Sequence, residues 1–86
     1  MTHELKIEKP WADAKLCGDK LFEIRYNDRG FQKGDYIRYT VIDDAHRMSP
    51  NKLPHPLTQC LFQITYVQWY KGLEPGYVVI GEVPVR

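Results

Sequence analysis

Polar and apolar residues alternate in short runs along this chain, and most of those runs have the period of a strand. His3 to Ile7 places Leu5 and Ile7 on one face, which predicts a short first strand. Leu21 to Tyr26 places Phe22 and Ile24 on one face and Glu23 and Arg25 on the other. In Tyr36 to Ile42, Ile37, Tyr39 and Val41 form one face and Tyr36, Arg38 and Thr40 the other. Thr58 to Tyr70 reads as one long strand, or two meeting at a bend. In it Cys60, Phe62, Ile64 and Tyr66 alternate with Gln59, Leu61, Gln63 and Thr65. Tyr77 to Val83 closes the series, and Pro84 stops it.

One stretch breaks the period. Trp11, Ala14 and Cys17 recur at helical spacing, with Asp13 and Lys15 toward water and Pro10 in the first turn. Gly18 suits the left-handed position that ends such a helix after about two turns. A helix this short is held by packing alone. Asn27-Asp28-Arg29-Gly30, Lys33-Gly34-Asp35 and Lys71 to Gly76 are turns. Asp43 to Pro56 carries Pro50, Pro54 and Pro56, which exclude a helix interior or a central strand. It reads as a surface excursion, an insertion into the fold rather than a lid. Five to six strands and one short helix after the first strand predict a mostly β (α+β) fold, a small β-barrel.

Eighty-six residues make one domain with one core. A net charge of +1 excludes a strong field for polyanions, so any nucleic-acid contact is local. Aromatic residues make up 13% of the chain, a supply that serves both packing and stacking. Met1-Thr2-His3-Glu4 begins no signal peptide, and no apolar run approaches the ~20 residues of a membrane span. The expectation is a cytoplasmic protein, a monomer or weak dimer, with Cys17 and Cys60 reduced and serving as small buried apolar residues.

His3, His46, His55, Cys17 and Cys60 lack the spacing of a metal site, and no cofactor motif is present. Ser49 precedes Pro50 without a nucleophile elbow. The remaining constellation is Lys20, Glu23 and Arg25, with His3 and Lys6 on the first strand and Tyr77 on the last. Glu23 and Arg25 lie roughly 7 Å apart along one strand face, within reach of Lys20. Three readings stay open: a solvated face, a structural Glu23–Arg25 pair, or a binding cleft.

Gly18-x-Lys20-x-x-Glu23-x-Arg25 resembles the signature of the ASCH domain, in the PUA-like superfamily. His3-Glu4-Leu5-Lys6-Ile7, Asn27 to Phe31, Gly34-Asp35 and Gly76 to Gly81 are similar to it as well, in a small bacterial and phage subfamily of unassigned function. The resemblance covers nearly the whole chain outside Asp43 to Pro56, and it implies a PUA-like barrel. One ASCH branch removes the acetyl group from an acetylated cytidine, using a Lys matching Lys20, a Thr matching Glu23 and a Glu on a later helical insertion. Here Glu23 replaces that Thr, and no helical stretch with such a Glu occurs between Asp43 and Tyr77. The wider family looks like an RNA-associated module. The expectation is therefore a binder of single-stranded RNA or a nucleotide-like small molecule, using His3, Lys6, Lys20, Glu23, Arg25 and Tyr77. The alternative is a small hydrolase on a modified nucleoside or a ribonuclease, with Lys20 and Glu23 as catalytic candidates.

Overall fold

A computed structural model describes residues 1–85. Strand β1 (Thr2–Glu8) runs directly into helix α1 (Lys9–Leu16), followed by β2 (Phe22–Tyr26) and β3 (Tyr36–Ile42). A short 3-10 turn, Pro56–Gln59, precedes β4 (Phe62–Gln68) and β5 (Tyr77–Pro84). The five strands form one sheet in the order β1-β3-β4-β5-β2, curled into a half-barrel. Only β1 and β3 are parallel, and the other pairs are antiparallel. Mostly β with one short helix is thus the architecture that the alternation predicted, with five strands.

The inward residues of the sheet make the core. Leu5 and Ile7, Ile37, Tyr39 and Val41, Phe62 and Ile64, and Val78 and Ile80 are all buried, capped by Ala12, Leu57 and Phe31. β1 and β2 are the two edges, and arginines from the β2 side tie them across the gap. Arg25 Nη2 donates to Lys6 O at 2.8 Å, and Arg29 Nη1 donates to Glu4 O at 3.0 Å. These bonds use β1 carbonyls that no strand pairs.

Three local expectations need correction. The stretch read as strand from Thr58 starts instead in the 3-10 turn Pro56–Gln59, and β4 begins only at Phe62 and ends at Gln68. The helix turns its Ala12–Lys15 face inward, not Trp11, Ala14 and Cys17; Trp11 is 53% exposed and Cys17 is exposed. Helical period fixes the spacing of a face but not its phase, and in two turns a one-residue shift of 100° decides it. In β4 the inward alternation ends after Ile64. An irregularity between Ile64 and Tyr66 shifts the register, so Tyr66 is exposed and Val67 packs on the core. Gly81 accommodates that bulge, since a Cβ there would meet Thr65 Oγ1 at 3.2 Å.

Asp43 to Pro56 is knit to the sheet. Asp43 caps Asn51, Leu53 N donates to Val41 O, and Ala45 N donates to Glu8 Oε2 at the β1–α1 junction. Gly18 closes α1 with φ +88°, as expected of its position.

Candidate functional site

β2 is the point at which the fold departs most from a simple reading of its pattern. Its apolar residues Phe22 and Ile24 face outward, while Glu23, only 4% exposed, points into the barrel. The reason is charge brought from elsewhere. Lys15, 2% exposed, reaches from α1 beneath β2, and Glu82, also 2% exposed, projects inward from β5. Lys15 Nζ contacts Glu23 Oε2 at 2.9 Å and also bonds Glu82 Oε2. Tyr39 donates its hydroxyl to Glu82 Oε1 at 2.5 Å. Lys15 Nζ lies 4.9 Å from the Tyr39 ring centre, on the face that attracts cations.

From above, two more cations reach Glu23. Lys20 Nζ stands 2.5 Å from Glu23 Oε2 and donates to Phe22 O at 2.8 Å. Arg25 clamps Glu23 Oε1 through Nε at 3.0 Å and Nη2 at 2.9 Å. Glu23 is therefore the hinge of the cluster: two cations on its cleft side, one on its core side. Among the described residues, no buried side-chain nitrogen or oxygen lacks a partner.

The titration behaviour follows. Burial pushes the Glu23 carboxyl up, but Lys15, Lys20 and Arg25 together outweigh it and hold it below its ordinary value. Glu82 goes the other way: its burial outweighs the help of Lys15 and Tyr39. Burial, with the negative charge of Glu23 and Glu82, holds the Tyr39 phenol well above its ordinary range.

Above this cluster a cleft of about 710 Å³ opens between β1–α1 on one side and β2 on the other. Lys6, Lys20, Glu23 and Arg25 line it, as do the exposed faces of Trp11 and Phe22. Lys20 Nζ lies 4.9 Å from the Phe22 ring centre. Ala45, Arg47, Met48 and Pro50 form the outer wall, so the segment read as an insertion is part of the cleft.

The structure thus brings together four of the six residues singled out from the sequence. His3 and Tyr77 lie elsewhere. His3 is buried on β1, where its Nε2–H donates to Asp35 Oδ2 at 2.8 Å and its ring packs edge-on against Phe31. Chiefly through that hydrogen bond from His3, the Asp35 carboxyl is held below its usual range. Tyr77 packs edge-on against Tyr26 at 5.5 Å between ring centres. Lys15, expected to face water, is instead buried at the centre of the cluster; Glu82 was not singled out from the sequence, nor were Trp11 and Phe22 as cleft residues. A lysine at helical spacing beside Ala12 gave no sign of burial, because its partners lie 8 and 67 residues away. Cys60 is partly buried against the core as anticipated, whereas Cys17 is not buried. Among the described residues, no three His, Cys, Asp or Glu side chains cluster as metal ligands, and no helix is long and apolar enough to cross a membrane.

Over residues 2–82 the chain matches the family model described as a domain of unknown function, DUF3850. It belongs to that family. The matched span includes Asp43 to Pro56. A search of curated proteins finds no match.

Proposed function

We propose that this DUF3850 domain is an RNA- or nucleotide-binding module of the ASCH type, within the PUA-like superfamily, acting in the cytoplasm. The observation that carries the reading is the composition of the cleft. Four cations, Lys6, Lys20, Arg25 and Arg47, outnumber the carboxylates Glu8 and Glu23 beside exposed Trp11 and Phe22 rings in one concavity. A phosphate finds charge-assisted donors there, and a base finds an aromatic face to stack on. The Gly18-x-Lys20-x-x-Glu23-x-Arg25 spacing supports the ASCH assignment, now with a physical role for each charge. Glu23 is the buried anion that holds Lys20 and Arg25 at the cleft floor.

The same geometry weighs against hydrolysis. Both Glu23 oxygens are engaged by cations, and its lowered proton affinity makes it a weak proton acceptor at neutral pH. Binding, not proton transfer, is the task it suits.

The test is a two-dimensional amide NMR titration with nucleoside monophosphates and short single-stranded RNA. Shifts should concentrate on Lys20 to Arg25, Lys6 and the start of α1, with quenching of Trp11 fluorescence. Lys20→Ala should weaken binding by about tenfold, the loss of one hydrogen bond to a charged group. Unchanged affinity in a folded Lys20→Ala protein would refute the reading. Release of free acetate from an acetylated cytidine would favour the hydrolase instead.

A further inference from the structure

Three depressions lie end to end along the seam between β1 and β2. The cleft shares Lys6 and Arg25 with a second hollow of about 360 Å³. That hollow shares Glu4 and Arg29 with a third, about 460 Å³, at the start of β1. Arg25 and Arg29 are the sills between them, each fixed by donating to a β1 carbonyl. Those bonds use Nη2 of Arg25 and Nη1 of Arg29. A guanidinium carries five donors, so N–H groups remain on both residues after these contacts.

We propose that this seam is a track for a single-stranded polynucleotide several nucleotides long, not a site for one free nucleotide. The inference rests on the nucleotide reading of the cleft and adds the chain nature of the ligand and a role for Arg29. One base occupies the cleft beside Trp11, and the backbone crosses Arg25 and then Arg29 toward the start of β1. The seven residues of β1 span about 23 Å at roughly 3.3 Å each, room for about four nucleotides, the small end of what one β-barrel module engages. Arginines spaced along a groove suit a repeated phosphate. Glu4 and Asp28 line the same groove. Their carboxylates accept from base amino groups and ribose hydroxyls, which distinguishes RNA from a bare polyanion.

A peptide added as a sixth strand is the competing occupant, and the arginines oppose it. Strand addition on β1 requires its outward carbonyls, and those of Glu4 and Lys6 are taken. Phosphates make no such demand.

The experiment measures affinity by fluorescence anisotropy for labelled adenosine and uridine monophosphates and for RNA oligomers of two, four and six nucleotides. A labelled hexaglutamate peptide serves as the control. Affinity should rise at least tenfold from one nucleotide to four and then level off, with hexaglutamate far weaker. Arg29→Ala, checked for folding by its thermal melt, should weaken the tetranucleotide about five- to tenfold and lower its salt slope by about one. It should leave monophosphate affinity unchanged, while Arg29→Lys keeps the slope. Equal affinity at all lengths, or an Arg29→Ala loss shared by the monophosphates, would overturn the track and leave the cleft reading intact. Hexaglutamate binding as tight as the tetranucleotide would overturn it too. Failure of every nucleotide probe to bind would remove both.

Discussion

Removing the amine of Lys15 is the sharpest perturbation this fold offers. In Lys15→Met the side-chain length is kept, but Glu23 loses its core-side cation and Glu82 loses the only cation paired with it among the described residues. Lys15 and Glu82 side chains are fully buried, so solvent cannot substitute. Breaking a buried pair by deleting one partner costs about 3–5 kcal/mol. A chain of 86 residues has a stability of roughly 4–13 kcal/mol, so the variant should be marginal. At about 4–8 °C per kcal/mol, a 3 kcal/mol loss lowers Tm by about 12–24 °C. The effect should depend on pH in a definite direction. Glu82 has its proton affinity raised by burial, so its ionisation costs stability as pH rises through its folded pKa. Without Lys15 that cost grows, and Lys15→Met should be relatively worse at pH 7 than at pH 5. Adding Glu82→Gln removes the stranded charge and keeps an acceptor for Tyr39, and should recover about 1–3 kcal/mol. Urea unfolding of the two single variants and the double variant at both pH values measures every term. A loss below 1 kcal/mol in Lys15→Met, or no recovery in the double variant, would refute the reasoning.

Glu23 has its pKa depressed, so it stabilises the fold above its ordinary value of 4.5 and that contribution disappears as pH falls through the lower folded value. Glu23→Gln should flatten the acid limb of a stability profile below about pH 5, and a limb identical to the parent protein's would contradict this. Gly76→Ala should cost more than Gly72→Ala, by about 1–2 kcal/mol in thermal melts. Both glycines have positive φ, but only at Gly76 would the Cβ approach the Tyr26 ring, at 2.5 Å. Equal costs would mean that the ring yields freely. Trp11→Ala should leave stability within about 0.5 kcal/mol, as for an exposed position. It should cost about 1–3 kcal/mol of nucleotide affinity in a titration, the worth of one stacked base, and an unchanged affinity would remove Trp11 from the site.

Much of the fold was legible in the pattern. Leu5 and Ile7, Ile37, Tyr39 and Val41, and Phe62 and Ile64 are inward as their alternation indicates. Period two is local, and each of these strands has a clearly more apolar side. Gly18, with its positive φ, was legible for the same reason, since only its own backbone conformation is at stake. The convergence of Lys20, Glu23 and Arg25 was equally local, within six residues of chain. His3 and Tyr77 could be assigned to strands but not to a neighbourhood. Where they sit depends on β1 pairing with β3 and β5 with β2, which turns His3 toward Asp35 and Tyr77 toward Tyr26.

The sequence by itself determined the succession of strands, the turns and the charge triad at the start of β2, though not the 3-10 turn ahead of β4. Only the tertiary structure decided which side of β2 faces in. Alternation defines two faces, and hydrophobicity alone would bury Phe22 and Ile24. The choice is reversed because a buried carboxylate is stable when cations from distant segments meet it. Lys15 arrives from a helix whose phase two turns could not fix, and its other partner, Glu82, comes from the last strand. The same assembly leaves Phe22 and Trp11 exposed beside Lys20 and Arg25, and so makes the cleft.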